Sequence, residues 1–133
     1  METRLTPDAD QIARIQTLPA DAPVAALNLF RFRAHAAYDE GDPEFGTDAA
    51  AVSGREAYAR YAAEAGPKIQ ALGGRVAFST PVDQVMIGPP EQQWDVAAIM
   101  FFPSRKAFLK MLSDPTFQES SRHRKAALEN HLM

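Results

Sequence analysis

The chain has 133 residues, 46% of them apolar, and a net charge of −3 at neutral pH. That length supports one hydrophobic core and leaves no room for a second full domain. The acidic balance argues against broad neutralisation of phosphates, and therefore against nucleic acid as a partner. Because the chain has no cysteine, disulfides, thiolate zinc sites and thiol catalysis are excluded.

Signals for export or membrane insertion are missing from the sequence. No basic segment leads into an apolar run at residues 1–5, and the longest nearly uncharged apolar stretch, residues 96–103, is too short to span a bilayer. Together with the lack of cysteine, this predicts a cytoplasmic protein with no membrane contact.

The first third of the chain predicts a helix, a strand and a long connection. Residues 7–18 have the spacing of a short amphipathic helix that ends at Pro19. Residues 24–33 are rich in sheet-forming residues and apolar on both faces, which predicts a central strand. Residues 34–52 lack periodicity, and connections of this length are typical of functional lids or mobile segments.

The next elements are a long helix and two strands. Ser53, with Glu56 three residues later, is a capping-box start for a helix over residues 53–72, which Pro67 should kink or interrupt. Residues 75–87 predict a strand broken at Pro81, and residues 94–102 predict a third, buried strand.

Two helices complete the predicted order. One runs over residues 104–112, and the other over residues 115–129, with Asp114 as its N-cap. The last residues, 130–133, are too few to predict more than a fragment of a fourth strand.

This order predicts an α+β fold with an antiparallel sheet and helices on one face. Its core matches the ferredoxin-like split βαβ motif, with an extra N-terminal helix. We expect a single domain over residues 1–133, with a helical extension at 1–23 and the core at 24–129. Since the central strands are apolar on both faces, a second copy is expected to cover the open face, giving a homodimer with a barrel-like centre.

Asn28 is the most informative residue of the first strand, because it shares a face with Phe30 and Phe32. A buried amide needs hydrogen-bond partners, which can be a neighbouring side chain, a water or the oxygen of a ligand. Arg31 points to the opposite face, where it either pairs with the acidic connection or clamps a carboxylate.

The helices and the third strand add further candidates. Tyr58, Tyr61 and Trp94 are either core residues or walls of a pocket. His123, four residues after Glu119, is either part of an ordinary surface pair or a general acid or base, with Arg124 as an anion anchor.

Sequence motifs for metals and cofactors are missing. The three histidines never stand at metal-ligand spacing, and the chain has no phosphate-binding glycine loop and no nucleophile elbow. The sequence therefore predicts neither a metal nor a cofactor. Haem binding would need a histidine that faces the cavity.

Several blocks of the sequence together resemble a known family. The blocks are NLFRF at 28–32, SGREAYARY at 53–61, GGRV at 73–76, WDV at 94–96, FPSRKAF at 102–108, MLSDPTFQ at 111–118 and HRKAALE at 123–129. With them the chain resembles domain-of-unknown-function family 1330, within the dimeric α+β barrel superfamily, over residues 24–129. This resemblance implies a ferredoxin-like fold, a dimeric α+β barrel and a homodimer, while the family has no settled activity.

We therefore expect a small-molecule-binding dimeric protein that acts, as a cofactor-independent enzyme, on a small aromatic or carbonyl compound. The alternative is a non-catalytic dimeric interaction module. The residues expected to act in catalysis are Asn28 and His123, and those expected to bind substrate are Phe30, Phe32, Arg31, Tyr58, Tyr61, Trp94 and Arg124.

Overall fold

Four strands form one antiparallel sheet in the computed structural model, which describes residues 5–133. The strands are β1 (Val24–Phe32), β2 (Arg75–Pro81), β3 (Val96–Phe102) and β4 (Leu128–Leu132), and their spatial order is β2-β3-β1-β4. This confirms the predicted α+β fold with a split βαβ core. Residues 1–4, part of the stretch considered above for an export signal, lie outside the described residues.

The helices begin where side chains can cap their free amide groups. They are α1 (Ala9–Gln16), α2 (Gly54–Ala71), α3 (Arg105–Ser113) and α4 (Pro115–Ala127), with a short 3-10 turn at Asp48–Ala50. Ser53 accepts a hydrogen bond from the Glu56 amide at 3.1 Å, and Asp114 accepts one from the Thr116 amide at 2.8 Å. Both caps stand where the sequence predicts them. Among residues 5–133, no helix is long and apolar enough to cross a membrane.

Helix α2 continues through Pro67, so of the two expected effects of this proline the interruption does not occur. A proline ring normally clashes with the Cβ of the residue before it when that residue is helical. Here the preceding residue is Gly66, which has no Cβ. The helix therefore accommodates the proline at the loss of one backbone hydrogen bond.

The end of the chain differs from the expectation. Helix α4 ends at Ala127, two residues early, and the backbone becomes extended at the fully buried Leu128. The following residues form β4, which pairs with β1 so that His131 lies opposite Phe30. The sheet thus extends beyond residue 129. Strand β2 ends at Pro81, and residues 82–87 do not continue it.

The two faces of the sheet have different environments. On the inner face, below the helices, Ala26, Asn28 and Phe30 of β1 are buried. On the outer face, Leu27 is 58% exposed and Phe78 is 57% exposed. The sequence predicts that both faces of the central strands are apolar. In the single chain, one of these faces is packed against the helices and the other is uncovered.

We expect Gly54→Ala to lower the free energy of unfolding by about 1–3 kcal/mol, because a Cβ there would overpack the junction of α2 with the sheet. The added atom would overlap the Arg33 carbonyl oxygen and lie 2.6 Å from the Ala127 carbonyl oxygen. Urea unfolding monitored by circular dichroism measures the change. In the control Gly41→Ala the Cβ meets no atom within 4 Å, so a similar loss in both variants would contradict this packing argument.

Candidate functional site

A cavity of about 910 Å³ lies between the inner face of the sheet and the helices. Its walls are mainly apolar and aromatic, and none of the aspartate or glutamate side chains in residues 5–133 lines it. A concave, largely apolar space with a few polar groups is the usual form of a small-molecule site. The predicted site residues that the structure brings together on its walls are Asn28, Phe30, Phe32, Tyr58, Tyr61, Trp94 and Arg124.

A hydrogen-bonded chain of three side chains crosses one end of this cavity. Arg124 Nη1 lies 3.2 Å from His131 Nδ1, and His131 Nε2 lies 2.8 Å from Asn28 Oδ1. Because a guanidinium only donates, Nδ1 accepts and the proton of the neutral ring is on Nε2, which donates to Asn28. The Asn28 amide nitrogen in turn donates to the Ala26 carbonyl oxygen at 3.0 Å.

Burial keeps His131 neutral. Desolvation, followed by the positive charge of Arg124, lowers the pKa of His131 from 6.5 to about 4. Burial also lowers the pKa of Arg124, although the nearby phenols of Tyr61 and Tyr58 oppose this shift. An arginine stays protonated throughout the physiological range even so. At neutral pH, this end of the cavity therefore carries one positive charge beside a neutral imidazole.

Aromatic rings form the wall beside this chain. The Phe30 ring lies 4.7 Å from the His131 ring and 5.1 Å from the Tyr58 ring, measured between centroids. Tyr58 and Tyr61 follow at 5.4 Å. Burial raises the pKa of both phenols, so their hydroxyls remain protonated and can donate. Within residues 5–133, neither hydroxyl has a hydrogen-bond partner.

His123, expected in catalysis, does not reach this cavity. It is 3% exposed, and its Nδ1 lies 2.7 Å from Tyr38 Oη in the connection that follows β1. Its Nε2 lies 3.4 Å from Glu64, so the expected partner Glu119 is replaced by other groups. Helical geometry explains why His123 does not reach the cavity. Neighbouring residues on a helix point about 100° apart, so Arg124 faces the cavity while His123 faces the connection that follows β1.

Arg31 is also outside the cavity, on the outer face of the sheet. Its Nε donates to Glu129 at 3.1 Å, rather than to the acidic connection. The arginine that pairs with the acidic connection is Arg122, whose Nη2 donates to Glu44 at 2.8 Å. This bond holds the pKa of Glu44 below its usual value.

His131 is the residue that sequence reasoning missed. In the sequence it is one of three scattered histidines without metal-ligand spacing, and residues 130–133 predict no more than a fragment of a strand. The available signal is the alternation of side chains between the two faces of a sheet. When β4 pairs with β1, His131 lies opposite Phe30 and on the same face as Asn28. That signal becomes visible only after the pairing of the two strands is known.

The residues present do not fit haem or a bound metal. His131 is the histidine that faces the cavity, but both of its ring nitrogens are engaged, by Arg124 and Asn28. Axial ligation would require one of these bonds to break. Across residues 5–133, no group of three or more histidine, aspartate or glutamate side chains is arranged to hold a metal ion.

The sequence model of a domain of unknown function, DUF1330, matches residues 48–133. The chain belongs to the DUF1330 family. This confirms the family to which the sequence is similar. Residues 28–32, which carry Asn28, precede the matched region, whereas Tyr58, Tyr61, Arg124 and His131 lie within it.

Two solved structures of an uncharacterised protein have the same fold. The crystal structure of methylated RPA0582 protein is 33% identical, with a TM-score of 0.86 over 99% of this chain and 92% of that chain. A second structure, of the RPA0582 protein of unknown function from Rhodopseudomonas palustris, is 33% identical with a TM-score of 0.85, over 98% and 93% of the two chains. No curated protein matches the chain.

We expect the DUF1330 protein to lose stability between neutral pH and pH 4 partly through His131. Its pKa is about 4 in the folded chain against 6.5 as the reference value, so the unfolded chain binds the proton more tightly in this window. The resulting decrease in the free energy of unfolding, up to about 3 kcal/mol, should not occur in the variant His131→Gln.

The measurement is the free energy of unfolding of both proteins in urea at pH 7, 6, 5 and 4. Carboxylates that titrate in this window are common to both proteins and cancel in the difference. Parallel pH profiles for wild type and variant would show that His131 is freely protonated in the folded state.

Proposed function

We propose that this DUF1330 protein binds a small aromatic or carbonyl compound in the cavity between sheet and helices. The observation that carries the proposal is the combination of an aromatic wall with the Arg124–His131–Asn28 chain at one end. The apolar walls would bury the body of a ligand, and the polar end would orient its oxygen atoms. The cavity volume of about 910 Å³ is within the range used by small-molecule sites.

The same geometry favours binding over acid–base turnover. A general base works best when its pKa is near the operating pH, whereas the pKa of His131 is about 4. The phenols of Tyr58 and Tyr61 have raised pKa values and act as donors. Cofactor-independent catalysis would therefore depend on the ligand's own reactivity, held in place by these groups.

Self-association through the outer face is the second part of the proposal. Leu27 and Phe78 expose more than half of their surface there, and Leu132 is 54% exposed. Contiguous apolar surfaces on antiparallel sheets are typical of protein interfaces. A second copy of the chain is the simplest cover, as the sequence predicts.

A dimer that binds no ligand would be the non-catalytic interaction module, which is the alternative function. A cytoplasmic location remains part of the same proposal.

We expect Ala62→Trp to weaken ligand binding at least about tenfold, because Ala62 lines the cavity and an indole there would occupy ligand space. The probes are 2-naphthamide and 2-naphthoate, two aromatic compounds of the same shape, titrated by calorimetry. We avoid Asn28→Ala, because it would leave the His131 Nε2 proton without its acceptor and destabilise the fold as well.

Ala63→Trp is the matched control, on the same exposed stretch of α2 but away from the cavity walls. It should bind the probes as the wild type does. If neither probe binds the wild type, or if both tryptophan variants bind equally well, the cavity is not a site for this class of compound.

We expect Leu27→Glu to convert a dimer into monomers, because a buried, unpaired carboxylate is costly at an apolar interface. The same residue is exposed in the single chain, so the monomer should remain folded. Light scattering after size-exclusion chromatography measures the mass. The control is Ile87→Glu, at a residue 97% exposed in the loop between β2 and β3. A monomeric wild type would refute self-association.

A further inference from the structure

We infer that the ligand of the cavity is an organic anion, with a carboxylate or an equivalent pair of charged oxygens held by Arg124 and an aromatic or apolar body. This inference rests on the proposed function and deepens it by naming the ligand class. Its basis is a positive group inside the cavity that no anion among residues 5–133 neutralises, beside two hydroxyl donors that find no acceptor among the same residues.

Among residues 5–133, Arg124 is a cation with no anionic partner. No aspartate or glutamate side chain of these residues lines the cavity, and no ion pair between them involves Arg124. The hydrogen bond that it makes goes to a neutral imidazole, His131 Nδ1, at 3.2 Å. A guanidinium has five N–H donors, so most of its capacity remains available to a ligand. Arg124 is partly buried, and charges withdrawn from water are normally paired, so a bound anion would complete this pair.

The two tyrosines supply further donors at the same end. Arg124 is close enough to Tyr58 and Tyr61 for its charge to act on both phenols. Their hydroxyls have no acceptor among residues 5–133, and both remain protonated at neutral pH. A carboxylate accepts several hydrogen bonds at once, so it can use the guanidinium fork and a phenol together.

Any preference for an anionic ligand arises at Arg124 and its neighbours, and not from the charge of the whole protein. The whole chain has a net charge of −3, so its overall field repels anions. A preference for an anionic ligand must therefore come from the local site. His131 positions the guanidinium through Nδ1 and is itself fixed by Asn28 at 2.8 Å, which gives the cation a defined direction.

The test compares 2-naphthoate with 2-naphthamide, which have the same ring and differ in charge. We expect wild-type protein to bind the carboxylate about 10- to 100-fold more tightly than the amide, as charge-assisted hydrogen bonds are stronger than neutral ones. Arg124→Gln should remove this preference by weakening naphthoate alone. Arg124→Lys, which keeps the charge but loses the fork, should retain part of it.

Arg75→Gln is the matched control, because Arg75 also borders the cavity while its guanidinium lies over the Phe101 ring at 5.1 Å. We expect this variant to keep the full preference. The wild-type comparison needs no variant, so the inference stays testable even if Arg124→Gln does not fold.

The outcomes separate the two proposals. If both compounds bind the wild type equally and Ala62→Trp weakens both, the cavity binds ligands but the anion inference is overturned. If Arg75→Gln abolishes the preference while Arg124→Gln keeps it, the assignment to Arg124 is wrong. If neither compound binds the wild type, the proposed function fails first.

Discussion

The alternation of side chains along β1 determines both the cavity on the inner face of the sheet and the exposed apolar surface on its outer face. Successive residues of a strand point to opposite faces, so Asn28 and Phe30 face the cavity while Leu27 and Leu29 face outward. The pairing of β1 with β3 and β4 on its two edges fixes this division. A slip of one residue would exchange the two surfaces, placing Asn28 outside and leucines in the cavity.

The cavity retains polar groups that an ordinary core would lack. Removing a guanidinium from water is costly, and the bond from Arg124 to a neutral imidazole offsets part of that cost without cancelling the charge. His131 must stay neutral for this arrangement, since a second positive charge beside Arg124 would be repelled. The low pKa of His131 and the charge of Arg124 are therefore two aspects of one arrangement.

Local signals in the sequence were sufficient for most of the fold and for part of the site. Ser53 and Asp114 act through hydrogen bonds within three residues, so their capping roles could be predicted without tertiary structure. The face of β1 that carries Asn28 could be predicted from alternation alone. Long-range effects were not accessible: β4 exists because Leu128 and His131 pair with β1, and five residues carry too little periodicity to reveal it.

His123 shows why residue type and spacing alone misplace a function. A histidine four residues after a glutamate suggests a helix-surface pair, but the structure instead packs the acidic connection against this side of α4. Tyr38 and Glu44 approach His123 and Arg122 from 85 and 78 residues away in the chain. No local pattern could predict these partners.

The contacts that hold the connection after β1 against α4 also affect the side of α4 that faces the cavity. Tyr38 also accepts a hydrogen bond from Arg60 at 3.1 Å, so the connection is tied to α2 as well as to α4. Helix α4 is thereby restrained at Arg122 and His123, and the next residue is Arg124. The backbone that carries Arg124 is thus held in place before any ligand arrives, which reduces the ordering that binding would require.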